Sequence, residues 1–225
     1  MNQTHTDVPH APQHYKLTKK RWVYFYFKYI LDTLFSFVMT AICLIPMLLI
    51  ALLIRIDDPG PVFFRQTRIG RNQKNFSMLK FRTMRVDTPS DVPTHLLESP
   101  QQYITRIGRF LRKTSLDELP QLLNILAGQM SIVGPRPALW NQYDLIAERE
   151  RYGVHQVLPG LTGWAQVNGR DELEIPVKAA FDGEYILHFG LFMDMKCFFR
   201  TITALFTAKG VVEGGTGAMH RSKQE

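Results

Sequence analysis

Cysteine is nearly absent: two occur in 225 residues, Cys43 inside an apolar run and Cys197 in a late helix-like segment. Two cysteines indicate neither a disulfide framework nor a cysteine-rich metal site, and they fit a cytosol-facing chain. There is no P-loop, no Gly-x-Gly-x-x-Gly after a strand, no His-Glu-x-x-His and no serine nucleophile elbow, which removes most common enzyme classes. Internal repeats are also missing. Between Ile30 and Ile54 charge almost disappears, Asp32 being the exception.

What is present is mostly positive. The 27 Lys and Arg residues against 20 Asp and Glu give a formal charge of +7, which favours an anionic partner such as nucleic acid, phospholipid or a phosphorylated metabolite. The length suits one domain, or one domain with an appendage. Residues 1–20 read as a disordered basic tail containing His5, His10 and His14, residues 21–58 as an apolar segment suited to a membrane and residues 59–225 as the remaining domain.

The apolar run follows the basic cluster KLTKKR and the aromatic stretch WVYFYFKY, a pairing typical of the boundary between water and lipid. It is too long for a signal-peptide core and lacks a small-residue cleavage site. At about 1.5 Å per residue it just crosses a hydrocarbon core of about 30 Å. Pro46 removes a helix hydrogen bond and divides the run into two arms, neither comfortable as a span. Five basic residues precede the run (Lys16, Lys19, Lys20, Arg21, Lys28) and five follow it (Arg55, Arg65, Arg68, Arg71, Lys74), so the positive-inside rule assigns no direction. A helix that dips into one leaflet and returns, and a kinked span, both remain open.

Beyond the run, Val62 to Met84 alternates basic and apolar residues and predicts a β-hairpin turning near residues 70–75. Arg68, Arg71 and Lys74 there read as solvated charge. Ile104 to Leu111 reads as a helix, and Leu119, Leu122, Leu123 and Leu126 predict one helical face ending at Gly128. Ser131 to Leu139 reads as a strand and turn, Trp140 to Tyr152 as a charged helix and Leu158 to Arg170 as a Gly-punctuated loop. In residues 181–208, Phe189, Phe192, Met195, Phe199, Ile202 and Phe206 share one side of a helix, facing either the core or a membrane interface. The fold class is α+β, helix-dominated, with a small β-hairpin and interfacial amphipathic helices.

The chemistry centres on KTSLDELPQLLN. Ser115 and Glu118 fit a capping box, yet Pro120 would then sit deep enough to delete a real helix bond. A start at Leu116 or Asp117 puts Pro120 in the first turn and Asp117 at the helix N-terminus, where an anion is favoured. Adjacent helical residues diverge by about 100°, so Asp117 and Glu118 suit different tasks. Around them gather Arg106, Arg109, Arg112, Lys113, the Lys80 to Arg82 segment, and Arg136 between two prolines that stiffen its backbone.

From about Tyr26 to Gly217 these features resemble the bacterial sugar transferases, the monotopic phosphoglycosyl transferases of polyprenyl-phosphate-dependent glycan assembly. The resemblance rests on an ordered set of motifs: the apolar run with its proline, PGPVFFRQTRIG, KFRTM, LRKTSLDELPQLLNILAGQMSIVGPRP and LPGLTGWAQVNGR. It implies transfer of a sugar phosphate from a UDP-sugar to undecaprenyl phosphate at the cytoplasmic face of the bacterial inner membrane, initiating synthesis of an exopolysaccharide, capsule or other glycoconjugate. Membrane lipid is the further partner implied, and nucleic acid is not.

In the family the aspartate of the Asp-Glu pair is the nucleophile and is associated with the required Mg²⁺, a position that falls on Asp117, with Glu118 beside it. Arg112 and Arg136 match phosphate-ligand positions, and Lys80, Arg82 and Arg170 are further candidates for phosphate. The resemblance also implies the re-entrant membrane helix, broken in the family at a Ser-Pro pair that is Ile45-Pro46 here, and a minimal catalytic form without extra spans. The rival readings are a membrane-anchored basic binding protein without turnover and a UDP-sugar phosphohydrolase.

Overall fold

The computed structural model describes residues 15–88, 100–169 and 173–207. The readings that fall on the three tail histidines and on Arg170 lie outside the described residues.

The apolar run is part of one long helix, α1 (Lys19–Asp57), within which helical structure carries on across Pro46. Proline has no N–H, so the carbonyl one turn earlier lacks its usual partner there. α1 is long and apolar enough to cross a membrane, and its two faces differ. Phe25, Lys28, Asp32, Ser36, Met47, Ile50 and Ile54 are buried, while Ile30, Leu34, Phe37, Ile45, Leu48 and Leu52 are among the many apolar side chains left exposed.

Both ends of α1 are tied to the same body. Near its start, Tyr24 donates to Asp194 Oδ2 at 2.7 Å, Lys28 Nζ lies 2.7 Å from the same oxygen, and Ser131 donates to Asp32. Tyr185 completes the cluster by donating to Asp194 Oδ1 at 2.7 Å. Every charge in this buried group has an opposite partner or a hydroxyl, as burial of charge requires. Near its end, Asp57 accepts from the Ile107 N–H at 3.0 Å, and Asp58 Oδ2 accepts from Arg82 at 2.7 Å and from the Val86 N–H at 3.1 Å.

Residues 15–18, placed by the sequence in the tail, belong to this body. Leu17 is buried in the main core, and Gln156 accepts from the Leu17 N–H and donates to the Tyr15 carbonyl. Removing an apolar side chain from water favours order at Leu17 over solvation.

The predicted hairpin is present. β1 (Phe63–Ile69) pairs antiparallel with β2 (Asn75–Phe81), Phe63 opposite Phe81 and Ile69 opposite Asn75. A short 3-10 turn at residues 71–73 connects them. Arg68 and Arg71 are not solvated charges. Arg68 donates to the Pro137 carbonyl at 3.0 Å, and Arg71 donates to the Gln156 carbonyl at 3.0 Å while stacking over Phe25. Their planar guanidinium groups combine stacking with directed donation, which an ammonium does less well.

α2 (Arg106–Thr114) begins at Thr105, whose hydroxyl accepts from the Gly108 N–H, and α3 (Gln121–Leu126) follows Pro120. β3 (Ser131–Val133) leads into the GPRP loop, and α4 (Tyr143–Arg151) is the charged helix. The segment read as a Gly-punctuated loop contains β4 (Gly160–Thr162), parallel to β3, and then α5 (Trp164–Val167). Glycine permits that pairing, because a Cβ on Gly160 would meet the Gly134 nitrogen at 2.1 Å.

Residues 181–208 do not form one helix. α6 (Ile175–Leu187) ends at His188, and α7 (Leu191–Thr207) begins after Gly190. Phe189, in the corner, is buried, whereas Phe192, Met195, Phe199 and Ile202 are exposed, opposite the buried Met193, Asp194 and Cys197. The core-facing reading therefore fails for these four side chains, which form an outward apolar stripe along α7. The main core lies between α6, α7, the β3–β4 pair and the start of α1.

Candidate active site

The site is assembled where β2, the α2–α3 connection and the GPRP loop meet. Alternation along β2 puts Lys80 on one face with Met78, while Phe81 faces the opposite way into a core shared with Leu111 and Ile54. α2 can dock at the end of β2 because residue 108 is glycine: a Cβ there would stand 2.0 Å from the Thr83 carbonyl oxygen. Docking brings Arg112 Nε to 2.9 Å from Thr83 Oγ1.

The carboxylate pair is not at an α-helix start. Ser115 adopts the left-handed conformation (φ 57°) and makes no side-chain cap, Leu116–Glu118 form a 3-10 turn, and α3 starts only after Pro120. Pro120 therefore interrupts no α-helical bond, and the capping box does not form. The tight turn, rather than a helix terminus, is what aims the two carboxylates apart.

Glu118 is the organiser. Its Oε1 accepts from Lys80 Nζ at 2.8 Å and from Arg136 Nη2 at 3.0 Å. Burial would push its pKa up, but the Arg136 and Lys80 charges and their hydrogen bonds hold it well below the usual glutamate range. Asp117 is placed differently. Its Oδ2 lies 3.9 Å from Lys80, beyond hydrogen-bond reach, and its side chain is 13% exposed. Burial raises its pKa above the usual aspartate range, Glu118 adds to the rise, and Lys80, Arg112 and Arg136 oppose it. One carboxylate is thus held by two cations at hydrogen-bond distance, and the other is buried among cations without a short hydrogen bond among the described residues.

Of the predicted residues, Lys80, Arg112, Asp117, Glu118 and Arg136 are brought together. Arg82 is not among them: it is buried and donates to Asp58 Oδ2 and to the Asp58 carbonyl, fastening the end of α1. Pro46 sits in the exposed apolar part of α1, remote in role from these charges.

Three supporting residues escaped the sequence reading. Asn124 accepts from the Leu79 N–H and donates to the Ser77 carbonyl, so that α3 pairs with the open edge of β2 through one amide. Thr83 holds Arg112. Arg149 donates to the Arg136 carbonyl at 2.8 Å. An amide in an otherwise apolar helical stripe was a visible signal for Asn124; nothing local marked the other two.

Among the described residues, no group of three or more His, Cys, Asp or Glu side chains gathers to cage a metal. Mg²⁺ commonly uses one or two carboxylates with substrate phosphates and water. Asp117, a buried carboxylate with no side-chain hydrogen bond among the described residues, is a donor of the right chemistry for that arrangement.

A sequence profile described as bacterial sugar transferase matches residues 23–208. The chain belongs to the bacterial sugar transferase family. Within it, the exopolysaccharide production protein PSS of Rhizobium leguminosarum bv. phaseoli is 43% identical over 188 residues, 77% of this chain and 92% of that protein. The UDP-glucose:undecaprenyl-phosphate glucose-1-phosphate transferase of Escherichia coli (strain K12) is 42% identical over 173 residues, 71% of this chain but 36% of that protein. The transferase of the same name from Caulobacter vibrioides is 41% identical over 189 residues, 80% of this chain and 70% of that protein. The chain thus spans about a third of the Escherichia coli transferase and most of the other two proteins.

Proposed function

We propose that this chain transfers a sugar phosphate from a UDP-sugar to undecaprenyl phosphate through a covalent intermediate on Asp117. The observation that carries the reading is the contrast inside the carboxylate pair: Glu118 is held at short range by Lys80 and Arg136, whereas Asp117, buried among three cations, meets Lys80 only at 3.9 Å. Relatives named as UDP-glucose:undecaprenyl-phosphate transferases support it.

In this mechanism an Asp117 oxygen attacks the phosphorus that bears the sugar. The bond from that phosphorus to the UMP oxygen breaks, and UMP leaves with the electron pair. An oxygen of the lipid phosphate then attacks the same phosphorus, the bond to Asp117 breaks, and the undecaprenyl-diphospho-sugar departs with Asp117 restored. Covalent catalysis splits one difficult displacement into two. Arg136, Lys80 and Arg112 offset the charge of the phosphate oxygens and orient them, the usual protein contribution in phosphoryl transfer. Asp117 would hold Mg²⁺, which when bound lowers the repulsion between an anionic nucleophile and a diphosphate.

The anchor suits a lipid acceptor. α1 and α7 carry outward apolar faces, with α1 fixed to the domain at both ends. A re-entrant α1 bending about Pro46 keeps both ends on the cytoplasmic face, where a soluble donor and a membrane-bound phosphate meet. The purified protein given a UDP-sugar, Mg²⁺ and undecaprenyl phosphate is expected to release UMP, and Asp117→Asn to abolish release. Release at full rate without lipid would indicate a hydrolase, and no release across a panel of UDP-sugars a binding protein.

A further inference from the structure

The GPRP loop is held by its carbonyls. Pro135 and Pro137 have no N–H to give, so the loop cannot be fixed by its own donors there. Instead the four successive carbonyls from 135 to 138 accept from donors on three different elements. Pro135 accepts from the Gly160 N–H at 2.9 Å, Arg136 from Arg149 Nη1 at 2.8 Å, Pro137 from Arg68 Nη1 at 3.0 Å, and Ala138 from the Ile69 N–H at 2.9 Å. β1, β4 and α4 therefore all grip the segment whose one long side chain, Arg136, reaches Glu118.

The Arg149 contact differs from the rest. Arg149 is 3% exposed and Asp182, on α6, is fully buried. Asp182 Oδ2 accepts from Arg149 Nε at 2.8 Å and lies 2.6 Å from its Nη2, which leaves Nη1 for the Arg136 carbonyl. Two edges of one guanidinium are thus used for two purposes, anchorage by Asp182 and aim at the loop. A buried ion pair is a poor device for stability alone, because desolvation cancels much of its attraction. It is a good device for fixing direction, because a planar fork held at one edge can point its other edge one way only.

We propose that Arg149, oriented by Asp182, is a positioning residue that sets the Arg136 backbone so that the Arg136 side chain meets Glu118 and the donor diphosphate. The inference rests on the reading of Arg136 as a phosphate ligand. It goes beyond that reading by assigning a transmission role to a buried pair on α4 and α6, neither of which contributes a side chain to the carboxylate site.

A double-mutant cycle tests it, with two readouts: UMP release and the affinity for UDP in titration calorimetry. Arg149→Lys keeps the charge but cannot serve both partners, and Asp182→Asn keeps the shape but loosens the anchor. Each is expected to lower donor kcat/KM and UDP affinity about tenfold when Arg136 is present. In an Arg136→Met background each is expected to cost less than twofold further, since a residue that acts through Arg136 has nothing left to position. Equal losses in both backgrounds would overturn the proposal, as would failure of both variants to fold, which would make the pair a requirement of the fold. UDP binding that Arg136→Met leaves untouched would overturn the phosphate-ligand reading itself. Binding without turnover would sink the transfer reaction and leave the cycle on binding to decide.

Discussion

Lys80 lies 2.8 Å from Glu118 Oε1 but 3.9 Å from Asp117 Oδ2, so one ammonium neutralises the first carboxylate and only biases the second. Two neighbouring residues of the same chemistry are thereby given different states by one strand position.

The two carboxylates are expected to affect stability in opposite directions. Glu118 has a depressed folded pKa, so its contribution is present above the ordinary carboxylate range and is lost as pH falls toward the folded value. Glu118→Gln should lower stability by about 1–3 kcal/mol, the scale of lost hydrogen bonds to a charged group. Asp117 has a raised folded pKa, so its ionised form opposes folding at neutral pH. Asp117→Asn should raise the melting temperature while removing activity, the trade expected of a strained functional group. Thermal unfolding of the two variants at pH 7 checks both signs.

The pH profile follows from the same contrast. If Asp117 must be ionised to attack, the acid limb of kcat/KM should lie above the ordinary aspartate range, because burial raises its pKa. Lys80 opposes that rise, so Lys80→Met should move the limb to still higher pH. A limb unmoved by Lys80→Met would show that another group titrates.

Gly108→Ala is expected to destabilise the fold by about 1–3 kcal/mol, the cost of overpacking. The new methyl would stand 2.0 Å from a backbone carbonyl of Thr83, which cannot rotate away as a side chain could. Displacement of α2 would also part Arg112 from Thr83, so activity should fall further than stability alone explains. Melting temperature and UMP release, measured together, separate the two effects.

Topology is open to direct labelling. With Cys43 and Cys197 replaced by alanine, single cysteines at the exposed positions Lys20 and Pro59 should react from the same side of the membrane in intact cells and inverted vesicles. Opposite-side labelling would contradict a re-entrant α1. It would also conflict with one body that binds both ends, through Lys28 to Asp194 and through Asp57 to the Ile107 N–H.

Local patterns were legible in the sequence and distant ones were not. The β-hairpin, α2, α4 and the long apolar helix follow from short-range alternation and periodicity. The parallel β3–β4 pairing joins segments on either side of α4, and its only advance sign was glycine at 134 and 160. Helix period ran unbroken through residues 188–190, so the corner between α6 and α7 was read as continuous, and the α7 stripe admitted two orientations until Asp194 was found buried. Lys80, Arg112 and Arg136 were legible as a group. Arg68, Arg71 and Arg149 were not, because a charged residue in a charged stretch looks solvated until the carbonyl it holds is known. The left-handed Ser115 was hidden for a related reason, since that conformation is more often signalled by glycine or asparagine.

The central claim is covalent catalysis by Asp117, and intact-protein mass spectrometry tests it most directly. Protein mixed with a UDP-sugar and Mg²⁺, without any lipid acceptor, should release up to one equivalent of UMP and gain the mass of one sugar phosphate, on the peptide containing Asp117. Adding undecaprenyl phosphate should then remove that mass. UMP released only when the lipid is present, with no adduct at any time, would contradict the account.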